Sequence, residues 1–351
     1  MKEPEAVMKK ICFFDAKPYD KIYFDPFAKE YNFEILYCDS KLNERSVVFA
    51  QGCDAVVAFV NDRVNAEVLN ALSEMGISIV ALRCAGYNNV DFKEAYGKVH
   101  IVRVPAYSPY AVAEFTMGMF LSLNRKLYRA YNRIREYNFS LIGLLGTDFH
   151  GKTMGVVGTG KIGQVFIDIC LGFGMKVLAY DPYPREREGV RYVSFEELCR
   201  HSDMISLHCP LTKESYHLVD EKAIETMKDG VMLVNTSRGA LIDSTALIEG
   251  LKEGKIGAAG LDVYEEEGDY FYEDYSGAVM PDDELARIIS MPNVLLTSHQ
   301  AFLTREALKN IAETTLENLR QYFAGEALPN EICYRCAKNG SCKKEHKERC
   351  F

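Results

Sequence analysis

The chain has 351 residues, 48% of them hydrophobic and 26% charged, with a net charge of −9 at pH 7. Such a length is more than one core comfortably serves, so two domains are expected, and no apolar run reaches the length of a membrane span. The acidic balance argues against non-specific binding to nucleic acid, and the charged opening Met1–Lys10 lacks the apolar block of a secretory signal, so a cytoplasmic protein without a membrane partner is expected.

In chain order, Ile11–Phe14, Ile35–Tyr37, Ala55–Val60, Ile79–Leu82 and Ile101–Val104 read as short apolar strands. Helix-like segments separate them, such as Asn65–Met75, which stops at Gly76. Ser108 to Glu136 then reads as one long helix, with Ser108 as cap and Pro109 in the first turn. Its apolar stretch Phe115–Leu123 suits either a buried core helix or a subunit interface. A second strand series follows: Met154–Val157, Val177–Tyr180, Met204–Leu207, Met232–Asn235, Ala258–Leu261 and Val294–Thr297. A last helix spans Thr304–Phe323, ended by Gly325 and Pro329. Strands alternating with helices over two series predict an α/β protein with two doubly wound, Rossmann-like parallel sheets.

The strongest motif is Gly158-Thr-Gly160-Lys-Ile-Gly163, set between a strand and a helix and followed by a strand ending in Asp181. Glycines there permit a tight turn and close approach of a pyrophosphate, and the helix N-terminus faces its charge. Asp181 is placed to accept from ribose hydroxyls and to repel a 2′-phosphate, which predicts NAD as cofactor. For acid–base chemistry the search falls on histidine. His299 follows the strand Val294–Thr297, at the end where parallel sheets bind ligands. His208 sits in a comparable place but directly before Cys209-Pro210, which suits a loop lining the cofactor. The two preceding strand ends supply Arg238, whose planar fork suits a carboxylate, and the carboxylates Asp262 and Glu265–Glu267.

With these motifs assembled, the chain resembles the D-isomer-specific 2-hydroxyacid dehydrogenase family, most closely its bacterial fermentative D-lactate-forming members, over roughly residues 8 to 330. The likeness rests on Leu82-Arg-Cys-Ala-Gly86-Tyr-Asn-Asn-Val-Asp91, Arg103-Val-Pro-Ala-Tyr107, the glycine loop, Ser206–Thr212, Val234–Gly239, Asp262–Glu267 and Thr297–Phe302. It implies a catalytic domain split into 1–106 and 303–330, around an NAD-binding domain at 107–302. It makes His299 the proton donor in keto-acid reduction and Glu267 the carboxylate that holds its ring, with Glu265 and Glu266 as fallbacks. Arg238 grips the substrate carboxylate and polarises the carbonyl. Ala85 and Gly86 complete the carboxylate site through backbone amides, and Tyr107 and Phe302 shape the side-chain pocket. Asp262 fixes the nicotinamide carboxamide, while Lys161, Ile162, Cys209, Pro210, Ser215, Thr236 and Ser237 match further cofactor contacts. No metal is needed for this chemistry, and a homodimer or higher homo-oligomer is implied. Pyruvate and D-lactate are the implied substrates; the alternatives are a larger D-2-hydroxy acid such as 2-hydroxyisocaproate, or a nucleotide-sensing corepressor-like binding protein.

The resemblance stops before the C-terminal tail, residues 331–351, where Cys333, Cys336, Cys342, His346 and Cys350 crowd together. That set suits either a zinc site or a basic tail with redox-exposed thiols.

Overall fold

The computed structural model describes residues 8–335 and 348–351. Cys336, Cys342 and His346 lie outside the described residues. The chain divides into two compact units, Met1–Ser108 with Thr304–Phe351, and Pro109–Leu303. The boundaries fall at 108/109 and 303/304, and the C-terminal residues group with the first unit.

The first unit holds five strands, β1 (Lys9–Phe13), β2 (Phe33–Tyr37), β3 (Ala55–Ala58), β4 (Ile79–Leu82) and β5 (His100–Arg103), all parallel in the order β2-β1-β3-β4-β5. β3 and β4 are buried along their whole length, the mark of parallel strands covered on both faces. Helix Ala66–Glu74 starts where the Asn65 side chain accepts from the Val68 amide. Helix Arg305–Phe323, capped by Thr304 accepting from Ala307, returns to this unit and packs against helix Pro18–Glu30 and β4.

In the second unit, β6 (Thr153–Val157), β7 (Lys176–Tyr180), β8 (Val190–Tyr192), β9 (Met204–Leu207), β10 (Val231–Asn235), β11 (Ile256–Leu261) and β12 (Val294–Leu296) form one parallel sheet. Its order is β12-β11-β10-β9-β6-β7-β8. The sequence reverses direction between β6 and β9, the crevice where open α/β sheets bind ligands. Because side chains alternate along a strand, this sheet feeds two cores. Met154, Val156, Met204 and Val234 meet Met119, Phe120 and Phe166 on one face, while Val157, Ile205, Leu207 and Leu233 meet Leu198, Leu247 and Leu251 on the other.

Two expectations need correction. The helix expected over 108–136 is two helices, Pro109–Arg125 and Leu127–Arg135, broken at Lys126, whose φ of 51° is left-handed. Its first part is mostly core, with Met117, Met119, Phe120 and Leu123 buried and Tyr110 exposed at its start, whereas beyond the break Leu127, Tyr131 and Ile134 are exposed. Strand β8 was not anticipated; Val190-Arg-Tyr192, with an exposed arginine between two half-buried residues, gives no apolar run to read. Among the described residues no helix is long and apolar enough to cross a membrane.

Candidate active site

The glycine loop joins β6 to helix Lys161–Gly172. Gly158 has φ 92°, and a Cβ there would lie 2.7 Å from the Cys209 amide and the His208 carbonyl. At Gly163 a Cβ would come within 2.1 Å of the Gly158 carbonyl oxygen, so both positions require glycine for close chain approach. Gly160, the helix N-cap, faces open space instead, room for a phosphate to reach the helix N-terminus beside Lys161 and Ile162.

Asp181 follows β7 and shares a cavity of about 650 Å³ with Thr159, Gly160, Lys161, Gln164 and Arg187. One of its carboxylate oxygens accepts from the Thr159 amide at 2.8 Å and the other from the Tyr183 amide at 2.9 Å. Burial raises its pKa, but these amides, the Thr159 hydroxyl and Arg185 outweigh that, so Asp181 stays ionised below the usual carboxylate range. An open glycine cradle with an ionised acid one strand away fits an NAD adenosine and pyrophosphate, which Gly158, Gly160, Gly163 and Asp181 would hold.

His208, just past β9, plays a different part from a solvent-facing loop residue. Burial pushes its pKa down to about 3, so its ring is neutral. It hydrogen-bonds Ser206 Oγ through Nε2 at 2.8 Å and packs on the Phe166 ring, under the glycine turn. Beyond it, the Ser215 hydroxyl donates to the Pro210 carbonyl at 2.7 Å, closing the loop that carries Cys209.

Arg238, Asp262 and His299 follow the ends of three neighbouring strands, where Asn235 of β10 pairs with Leu261 of β11, and Leu261 with Leu296 of β12. Asn235 holds the turn before Arg238, its Nδ2 donating to the Arg238 carbonyl at 2.8 Å and its Oδ1 accepting from the Ser237 amide at 3.0 Å. Thr236 Oγ1 lies 2.9 Å from Thr116 Oγ1, and Ser237 Oγ donates to the Leu207 carbonyl. Next to Arg238, a Cβ on Gly239 would meet the Tyr264 backbone at 2.0 Å, so the loops after β10 and β11 touch.

Asp262 is fully buried. Burial raises its pKa, opposed by the Thr297 hydroxyl (2.6 Å) and the amides of Ala301 (2.8 Å) and Gln300 (2.9 Å). These bonds tie the loop after β12 to the end of β11 and so place His299. Its amide donates to the Asp262 carbonyl at 2.7 Å, and its φ of 51° is left-handed. Nδ1 lies 2.7 Å from Glu267 Oε1, with both side chains only 15% exposed, while Glu267 Oε2 accepts from the Tyr264 amide at 3.1 Å.

Neither neighbouring glutamate competes for that place. Glu265 is engaged by His217 Nε2 at 2.8 Å and by the Tyr216 hydroxyl at 3.2 Å, and Glu266 is exposed. One group escaped the sequence reading altogether: the Tyr272 hydroxyl donates to the His299 carbonyl at 3.0 Å. Nothing in the local pattern of Tyr270-Phe-Tyr272 marks it. Phe302 is buried close by in sequence.

In the first unit, Ala85 and Gly86 follow β4; the Ala85 carbonyl accepts from Arg103 Nη1 at 2.7 Å, and Cys84 Sγ donates to the Gly86 carbonyl. The Tyr107 carbonyl accepts from Asn310.

A Rossmann sheet with a glycine cradle, an ionised acid beside it and a carboxylate-backed imidazole at the strand ends defines a nicotinamide-dependent dehydrogenase. The D-isomer specific 2-hydroxyacid dehydrogenase NAD-binding domain matches residues 117–301, and the chain belongs to that family. It is 52% identical to D-lactate dehydrogenase of Escherichia coli, over 92% of this chain and 99% of that one. The apo structure of that enzyme superposes with a TM-score of 0.85 at 50% identity, again over 92% and 99% of the two chains. The NAD-complexed D-isomer specific 2-hydroxyacid dehydrogenase of Lactobacillus delbrueckii ssp. bulgaricus gives a TM-score of 0.78 at 30% identity, over 92% and 99%.

Proposed function

We propose that this enzyme is a D-lactate dehydrogenase that reduces pyruvate with NADH. The observation that carries the reading is the Glu267–His299 contact at the same sheet edge as Arg238 and Asp262. Bound NADH supplies the hydride that goes to C2 of the keto acid. His299, with Nδ1 directed to Glu267, uses Nε2 to donate the proton that the developing alkoxide oxygen takes up, so no alkoxide charge persists. Glu267 orients the ring and stabilises the imidazolium before transfer. Arg238 pairs with the substrate carboxylate through two parallel hydrogen bonds and polarises the carbonyl. Asp262 orients the carboxamide of the cofactor. Ala85 and Gly86, through their amides, and Tyr107 and Phe302, through their rings, are the substrate contacts that the family resemblance assigns, and they form part of the proposal.

The similarity to the D-lactate dehydrogenase of Escherichia coli supports pyruvate as substrate. The test is steady-state turnover with pyruvate, larger 2-keto acids and both reduced cofactors. Highest kcat/KM with pyruvate and NADH is expected, with NADPH far poorer because of the Asp181 charge. A higher value for a branched or aromatic keto acid would replace the substrate, and no turnover with any would replace the enzyme reading.

Glu267→Gln tests the dyad. Without the carboxylate the imidazolium loses its stabilising charge, so the alkaline limit of pyruvate reduction is expected to move toward acid. The same shift in Glu265→Gln, with none in Glu267→Gln, would move the assignment within the loop.

A cytoplasmic homodimer is also part of this reading. The support for the dimer is the run of exposed apolar side chains at Tyr137, Phe139, Leu141, Ile142 and Leu145, each more than two-thirds exposed. Light scattering on the purified enzyme reads its mass directly.

A further inference from the structure

The last residues of the chain fold back onto the first unit. Beyond the family's expected end, 330–332 run antiparallel to the edge of β5: Arg103 N donates to the Asn330 carbonyl at 3.2 Å and Ile332 N to the Ile101 carbonyl at 2.8 Å. Glu331, 1% exposed, is the hub. It pairs with His100 Nδ1 at 2.6 Å through one carboxylate oxygen and accepts from the Cys350 amide at 2.7 Å through the other. The Phe351 ring stacks on His100 with centroids 4.2 Å apart, and Arg349 donates to the Glu326 and Tyr322 carbonyls.

These contacts hold Cys350 on the Glu331 carboxylate, two residues from Cys333 in the chain, and both cysteines are buried; Cys333 is among the neighbours that push the Cys350 thiol up. We propose that Cys333 and Cys350 are a dithiol that closes reversibly into a disulfide, a modification site that pins the C-terminal end to the β5 edge.

Burial, the Glu331 carboxylate and the second thiol all push the Cys350 thiol up, so the reduced pair is protonated at rest and reacts slowly, through its minor thiolate fraction. The co-reactant is a low-molecular-weight disulfide. One thiolate attacks it and displaces a first thiolate, giving a mixed disulfide; the second cysteine attacks the protein sulfur and displaces the other. The two cysteines are oxidised, the reagent is reduced to two thiols, and those thiols take the two protons. Among the described residues no group of three His, Cys, Asp or Glu converges to hold a metal ion.

The test is native full-length protein incubated with oxidised glutathione, alkylated and mapped by mass spectrometry. A Cys333–Cys350 link, reversed by dithiothreitol, is expected. Thermal unfolding of the oxidised protein is expected several degrees higher, a shift absent in Cys350→Ser and in Cys333→Ser. Links of either cysteine to Cys336 or Cys342 instead, both thiols still alkylatable after oxidation, or about one zinc per chain that is lost in Cys333→Ser would each overturn the proposal. Because the link is mapped in the unmutated chain, poor folding of a variant does not obscure the result.

Discussion

His299→Gln is expected to lower turnover of pyruvate by roughly two to four orders of magnitude, the usual worth of a positioned general acid, while leaving NADH affinity within about twofold. Glutamine donates a hydrogen bond but does not release a proton near neutral pH, so the developing alkoxide is left without a proton source. The loop itself should survive the change. The backbone at 299 is held by its amide on the Asp262 carbonyl and by Tyr272 on its own carbonyl, and neither bond involves the ring. Histidine adopts the left-handed φ found here more readily than glutamine, so a small loss of stability accompanies the change. The glycine loop and Asp181 belong to β6 and β7, on the far side of the sheet from β12, so the cofactor's adenosine end is undisturbed. Pre-steady-state turnover together with fluorescence titration of NADH separates the two quantities. Activity within tenfold of the parent, or NADH binding lost in parallel with turnover, would remove His299 from the proposed role.

Arg238→Lys is expected to reduce kcat/KM for pyruvate by roughly 100-fold or more, about 2.7 kcal/mol of lost transition-state stabilisation. Charge is retained, so the loss isolates geometry: an ammonium offers no planar pair of donors to a carboxylate and does not polarise the adjacent carbonyl from the same side. Both KM and kcat should suffer, because the carboxylate contact serves the ground state and the carbonyl contact serves the transition state. The main chain around Arg238 is fixed by Asn235 and by the close approach of Gly239 to Tyr264, so a lysine occupies the same backbone position. Unchanged kcat with a modest rise in KM would mean that Arg238 contributes only charge, and unchanged kinetics would mean that another cation binds the substrate.

Much of this site is legible before any coordinates. A glycine loop between a strand and a helix has local causes, namely backbone room and the helix N-terminus, and so leaves a local signature. The same holds for Arg238, Asp262 and His299, each past an apolar run that only a buried parallel strand explains. Residues that work through contacts distant in sequence leave no such trace. The break at Lys126 is one example: a lysine in the left-handed region is not announced by a glycine, and the apolar pattern continues across it. His208 is another. Its neutral state depends on the glycine turn and Phe166 packing against it, neither of which is adjacent in the chain.

Sequence by itself determined the two-sheet α/β class, the glycine loop between strand and helix, the acid that ends the next strand and the family, because periodicity, turn chemistry and ordered motifs are properties of short stretches. The family resemblance chose Glu267 over Glu265 and Glu266, but only the tertiary structure gives the physical reason. The three are chemically identical, and the choice rests on where the turn after β11 sends each carboxylate: Glu265 to His217, Glu266 to solvent, Glu267 to His299. The tertiary structure also decided that Cys350 comes to Glu331, because Glu331, His100 and Phe351 pack together at the edge of β5, and packing between segments far apart in the chain is set by the whole fold rather than by any stretch of it.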